Sequence, residues 1–239
     1  MGKLDKLGAI VTGTAEGIGE AIAKELAAQG AKVACLDFNK DAGQSTVNDI
    51  NESGGEALFI ETDIADPNQV KSSIETAASF LGSVDILVNN AAKFIFGAVE
   101  DVSQDQWEDI LKVNVIGYST CVKEALPHLK KSGKSAIVNL ASVSSIIAGP
   151  KFVPYNTTKG ALVKLDISSN RIKGEAMQRI AELCGTKGIE LNNESDGDGD
   201  GDGDSDGDQP DCDALGCSSN FDCAASSEAC SCEGGFQDE

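Results

Sequence analysis

The sequence predicts an α/β protein built on a doubly wound parallel sheet as a single domain. Three observations predict it. Short apolar runs alternate with longer stretches of helical period from about residue 6 to residue 165. A glycine-rich turn stands between the first run and the first helical stretch. The ends of the first four runs carry Gly13, Asp37, Asp63 and Asn90, which a parallel sheet would gather on one edge.

Lys6-Leu7-Gly8-Ala9-Ile10-Val11-Thr12 reads as a buried strand, and the turn Gly13-Thr14-Ala15-Glu16-Gly17-Ile18-Gly19 leads into a helix through Ala28. Glycines in such a turn let the backbone approach a pyrophosphate, which the free N–H groups of the following helix can receive. Gly30 stops the helix. The second strand, 31–37, ends in Asp37, 18 residues after Gly19. A carboxylate there can accept both hydroxyls of an adenosine ribose and would repel a 2′-phosphate. No Lys or Arg among Thr14, Ala15 and Glu16 offsets that charge, so the pattern favours NAD over NADP. A strand-end Asp also serves as a turn residue.

Residues 40–53 read as a helix closed by Gly54-Gly55, and 56–61 as the third strand, leading into Thr62-Asp63-Ile64. Asp66-Pro67 opens a helix to about Leu81, with Pro at a favoured first position. The fourth strand, 84–88, is followed by Asn89-Asn90-Ala91-Ala92. The segment 103–130 is helical with a break near Gly117 and carries Trp107, Asn114 and His128. Trp107 reads as a packing or interface residue and His128 as a surface one. The fifth strand, 135–140, delivers Ser142 to the common edge. A loop with Gly149 and Pro150 follows, then a helix holding Tyr155 and Lys159. Four residues apart, these two share a helix face. An ammonium beside a phenol favours the phenolate and makes a tyrosine usable in acid–base work near neutral pH.

Taken together, Thr12-Gly13, Gly17-Ile18-Gly19, Asp63, Asn89-Asn90-Ala91, Asn114, Ser142, Tyr155 and Lys159 resemble the short-chain dehydrogenase/reductase family, whose sheet is of the Rossmann type. The resemblance covers residues 5–165, with Ala92 standing where the family usually has glycine. It implies an NAD-dependent oxidoreductase that moves a hydride between the nicotinamide and a secondary alcohol or ketone. Tyr155 would give or take the proton on oxygen. Lys159 would lower the Tyr155 pKa and bond the nicotinamide ribose, Ser142 would hold the substrate oxygen, and Asn114 would position a water. Gly13, Glu16, Gly17, Ile18, Gly19, Asp37, Phe38, Asp63, Ile64, Asn90 and Ala91, with Tyr155 and Lys159, would contact the cofactor. No metal is implied. Read without the resemblance, Ser142 is a loop serine, Asn114 a helix residue bonded to a neighbouring strand and Asp63 a helix cap.

Beyond Leu165 the pattern departs from the family. Residues 166–176 read as an insertion, 188–192 resembles a sixth strand, and the family's closing strand and substrate lid are not recognisable. This leaves a catalytically impaired NAD-binding relative as the alternative function. Residues 194–239 hold 15 acids and no Lys or Arg, against 24 acids and 19 bases in residues 1–193, within a net charge of −20. Glycine and like charges cannot form a packed core, so the tail is expected to be disordered. The window Asp202 to Asp213 has the Asp and Gly spacing of a calcium loop but ends in Asp, so a cation- or partner-binding tail is a third reading.

Neither part carries the clustered Lys and Arg that a nucleic-acid backbone selects. No long apolar run predicts a membrane span. The start Met1-Gly2-Lys3-Leu4-Asp5-Lys6 has neither the apolar stretch of a signal peptide nor the Ser or Thr of a myristoylation site, so a cytoplasmic location is expected. Cys35, Cys121 and Cys184 read as buried apolar residues. Five more cysteines, without a Cys-x-x-Cys pair, crowd the tail. A homo-oligomer is expected, weakened by the altered C-terminal part.

Overall fold

The computed structural model describes residues 2–163 and 165. The expected insertion, the strand-like 188–192, Cys184 and the acidic, cysteine-bearing tail lie outside the described residues. Five strands form one parallel sheet: β1 (Gly8–Thr12), β2 (Lys32–Asp37), β3 (Glu56–Glu61), β4 (Ile86–Asn89) and β5 (Ala136–Asn139). Their order is β3-β2-β1-β4-β5, so the chain reverses its direction of travel between β1 and β4. Six α-helices connect and follow them: α1 (Gly17–Ala28), α2 (Lys40–Glu52), α3 (Pro67–Leu81), α4 (Gln104–Leu111), α5 (Tyr118–Ser132) and α6 (Val153–Val163). The doubly wound parallel sheet is therefore as the sequence predicts.

The strands are apolar on both faces because both faces are covered. Ala9, Val11, Val33, Cys35, Ile86, Val88 and Ala136 face a core shared with Ala23, Leu26 and Ala27 of α1 and Val47 and Ile50 of α2. The alternate residues Ile10, Ala34, Leu36, Leu87 and Ile137 face a second core with Val70, Ile74 and Ala77 of α3 and Tyr118, Cys121, Val122, Ala125 and Leu129 of α5. Each fully buried Val, Leu or Ile side chain contributes about 1.5–3 kcal/mol. Cys35 and Cys121 are buried free thiols, pushed up to about 12 by desolvation, so they act as apolar filling.

Several boundaries differ from expectation. β1 starts at Gly8 because Lys6 turns with φ of 70°, and β4 runs from Ile86 to Asn89 rather than 84–88. The break expected near Gly117 is a π-helical stretch, Lys112–Gly117, which joins α4 to α5 without interruption. Its cause lies at Gly117, where a Cβ would come within 2.9 Å of the Ile64 carbonyl oxygen. The widened turn accommodates that close approach and carries Asn114 fully into the interior. Helix α5 then continues past Pro127 to Ser132, and Gly133 closes it with φ of 71°. Among the described residues, no helix is long and apolar enough to cross a membrane.

Candidate active site

The carboxyl ends of β1 and β4, where the strand order reverses, open the crevice in which ligands of such sheets bind. Thr12 closes its floor. The buried Thr12 hydroxyl accepts hydrogen bonds from the Asn90 N–H at 3.0 Å and the Ala91 N–H at 3.2 Å. The Asn90 amide donates to the carbonyls of Thr12 and Gly13, both at 3.0 Å. The glycine turn is thereby bonded to the end of β4. Its glycines are not interchangeable. A Cβ on Gly19 would lie 1.9 Å from the Gly13 carbonyl oxygen, and one on Gly13 would lie 2.7 Å from Ala91 Cα. Gly17 has φ of 63° and open space beside it.

These features fit a pyrophosphate. Asn39, Asp66 and Ser103 cap the N-termini of α2, α3 and α4 with side-chain oxygens. Helix α1 has no side-chain cap, although Glu16 stands at the capping position, exposed. Its first N–H groups are left for an anion, beside the open Gly17. Ile18 in the first turn of α1 and Phe38 just after β2 present exposed apolar surface, 67% and 77% exposed.

Asp37 is nearly buried. One carboxylate oxygen accepts the Ala15 N–H at 2.9 Å and the other the Asn39 N–H at 2.8 Å. It is thus both a turn residue and a brace for the glycine turn, and each oxygen keeps a lone pair for a ribose hydroxyl. Asp63 is exposed and accepts the Ala65 N–H at 2.9 Å, while Asp66, not Asp63, caps α3. The Ile64 side chain belongs to the core against α5, which leaves only its backbone to face a ligand.

The second half of the site gathers around α6. Tyr155 is half-buried and Lys159 is 2% exposed. The Lys159 ammonium donates to the Leu140 carbonyl at 2.7 Å and lies 5.9 Å from the Tyr155 ring centroid. Burial pushes it down to about 8, because desolvation disfavours the charged amine. Ser142 follows β5 and caps a short 3₁₀ turn, Val143–Ser145, its hydroxyl accepting the Ser144 N–H at 3.1 Å. The turn is bonded to α6 through the Ser145 hydroxyl, which donates to the Lys159 carbonyl at 2.8 Å.

Asn114 ties three segments together. Its carbonyl oxygen accepts the Lys93 N–H at 2.7 Å, and its amide donates to the Lys93 carbonyl at 3.0 Å and the Thr158 hydroxyl at 3.1 Å. With the side chain engaged in this way, its bonding is that of the structural alternative, to the segment after β4 and to α6. Phe94 stacks on Tyr155 with ring centroids 5.0 Å apart, and Phe96 and Phe152 extend the aromatic wall. Trp107 in α4 and His128 in α5 are each half-buried, and neither is bonded to these groups in the described contacts.

Sequence reasoning named Thr12 only as part of the turn motif and missed Ser145 and Thr158, which also brace the site, and Tyr118, whose buried ring lies 5.5 Å from the Lys159 ammonium. A signal for Tyr118 existed: it is four residues after Asn114, one helical turn along the same segment.

The family profile described as short chain dehydrogenase matches residues 8–171. An uncharacterized oxidoreductase of Thermotoga maritima is 35% identical over 157 residues, which is 66% of this chain and 61% of that protein. A crystal structure of a short chain dehydrogenase/reductase from Burkholderia phymatum in complex with NAD aligns with a TM-score of 0.67 at 31% identity, covering 69% of this chain and 59% of the other. One of a 3-ketoacyl-(acyl-carrier-protein) reductase from Brucella melitensis complexed with NADH aligns with a TM-score of 0.65 at 33% identity, covering 68% of each chain. The chain thus spans about three fifths of the first two proteins' length. With the doubly wound sheet, the glycine turn at its switch point and a match over most of residues 8–171, the chain belongs to the short chain dehydrogenase family.

Proposed function

We propose that this chain is an NAD-dependent oxidoreductase acting between a secondary alcohol and the matching ketone. The observation that carries the reading is the pairing on α6 of a half-buried phenol, Tyr155, with a buried ammonium, Lys159, held by the Leu140 carbonyl. Bound NAD would supply the hydride acceptor, and NADH the donor in the reverse direction.

The chain's own residues would do the rest. The uncapped N-terminus of α1 and the Gly13–Gly19 turn would receive the pyrophosphate. Asp37 would accept the adenosine ribose hydroxyls and disfavour a 2′-phosphate. Phe38, Asp63 and the Ile64 backbone would border the adenine, and Asn90 and Ala91 the nicotinamide side. Tyr155 would take the alcohol proton, or give it to the ketone, as the carbon changes oxidation state. Ser142, whose hydroxyl proton has no acceptor in the described contacts, would donate to the substrate oxygen. Lys159 would favour the Tyr155 phenolate through its charge. Phe94, Phe96 and Phe152 would present an apolar wall beside the reacting carbon.

The proposal includes a small-molecule substrate, a cytoplasmic location and self-association. The test is NADH and NADPH binding, together with turnover on a broad panel of alcohols and ketones, for the wild type beside Tyr155→Phe. NADH bound more tightly than NADPH, with turnover that Tyr155→Phe removes, is expected. NADH binding with no turnover on any substrate would favour the impaired relative, and no NADH binding would defeat both.

A further inference from the structure

Lys159 has an unusual setting for a buried cation. Among the described residues no carboxylate is paired with it, and the acceptor its three N–H groups find there is the Leu140 carbonyl. What surrounds it is aromatic. The ring centroid of Tyr118 lies 5.5 Å from the ammonium and that of Tyr155 lies 5.9 Å from it. Both fall within the reach at which a ring face attracts a cation. Tyr118 itself is fully buried, and its hydroxyl has no hydrogen-bond partner among the described residues. An orphaned buried hydroxyl is a net cost, so a hydrogen bond does not account for this residue. Its ring packs in the second core and has the Lys159 ammonium over it.

We propose that Tyr118 is a positioning residue for Lys159: the face of its buried ring and the Leu140 carbonyl together seat the ammonium beside Tyr155. Among the described residues, the groups facing Lys159 are then Tyr155 on its own helix, Tyr118 on α5, and the Leu140 carbonyl just after β5. None of them is a carboxylate. Desolvation weakens the ammonium, and the two ring faces oppose that loss. The π-helical stretch sets this up, because Tyr118 begins α5 immediately after it. The seat rests on the proposed hydride transfer only for its effect on rate; its effect on Lys159 is independent of turnover.

The experiment titrates Lys159 by NMR in the full chain carrying ¹³C-labelled lysine, its signal assigned by its absence in Lys159→Met. In the wild type a midpoint near 8 is expected. Tyr118→Phe keeps the ring face and should leave that midpoint in place. Tyr118 replaced by pentafluorophenylalanine keeps the ring but reverses its quadrupole. It should lower the midpoint by about 0.5–1.5 pH units, the span of a cation–π contact expressed as a titration shift. An unchanged midpoint in the fluorinated variant overturns the proposal, and so does an equal shift in Tyr118→Phe. If the pentafluoro ring prevents folding, 3,5-difluorophenylalanine should give a smaller shift in the same direction, and no shift there overturns it equally. Where turnover is measurable, the alkaline limb of kcat/KM should follow the same displacement. A normal NMR shift without turnover defeats the hydride-transfer reading and leaves the seat standing.

Discussion

The two halves of the sheet are built differently. In the half that would take the adenosine, β1 to α3, much of the order is local. Asn39 caps α2 three residues away, Asp66 caps α3 within three, and Asp37 closes its own turn at Asn39. In the half around Tyr155 the corresponding ties reach across the chain. Asn114 bonds Lys93 over 21 residues and Thr158 over 44, Asn89 bonds Asn139 over 50, and Lys159 bonds Leu140 over 19. The first half adds to its long ties, such as Asn90 to Thr12 over 78 residues, turn chemistry that any fragment could begin to form. The second half exists only once β4, β5, the π-helical stretch and α6 have come together. The difference teaches that binding and chemistry should fail separately.

The largest expected separation comes from Tyr155→Phe. Removing the acid–base group should lower turnover by about 10²–10⁴-fold, while NADH affinity, measured by fluorescence, stays within about twofold. A matching loss of NADH affinity would mean that the halves are not separable. Next in size is Asn114→Ala. It strands the half-buried backbone groups of Lys93 and the buried Thr158 hydroxyl and should cost about 2–4 kcal/mol in urea denaturation. It should also loosen the Phe94 loop and α6 together, which hydrogen exchange would read out.

Lys159→Met should have the opposite sign. Burial holds the folded-state pKa near 8 against an ordinary 10.5, so between those values the unfolded chain binds more protons than the folded one. Stability therefore rises with pH across that window, and below it the charged Lys159 costs about 3 kcal/mol. Allowing about 1 kcal/mol for the lost bond to Leu140, Lys159→Met should be more stable by about 2 kcal/mol at pH 7. That gain should shrink between pH 8 and pH 10.5. A stability difference that does not vary with pH would show that Lys159 is not a charge buried at a cost. The smallest effect belongs to the local half. Asp66→Ala should cost about 1 kcal/mol by removing one cap, without altering turnover.

Much of this was legible in the sequence, for reasons particular elements make plain. The alternation of apolar residues along β1, β2 and β4 is the alternation between the two cores. Gly13, Gly17 and Gly19 announce a turn because two of them sit in the left-handed region and the third lies against a carbonyl. The π-helical stretch was not legible as such. Its wide turn is selected by the approach of Gly117 to Ile64, a residue more than fifty positions earlier in the chain, and the sequence shows only a weak helix former. The place of the Ile64 side chain was not legible for the same reason: it is claimed by the core, which spacing along the chain does not reveal.

Tyr155 and Lys159 mark the same boundary. The sequence by itself determined that they share a helix face, because that follows from a spacing of four, and it determined the order of strands, turns and helices that leads to them. Only the tertiary structure decided what they are worth. It buried Lys159 with no carboxylate paired to it among the described residues, offered it the Leu140 carbonyl and the face of Tyr118, and stacked Phe94 on Tyr155. The physical reason is one of range. Helix periodicity and capping act over a few residues, whereas the dielectric around a charge and the face presented by a ring are set by whatever the fold brings within a few ångströms.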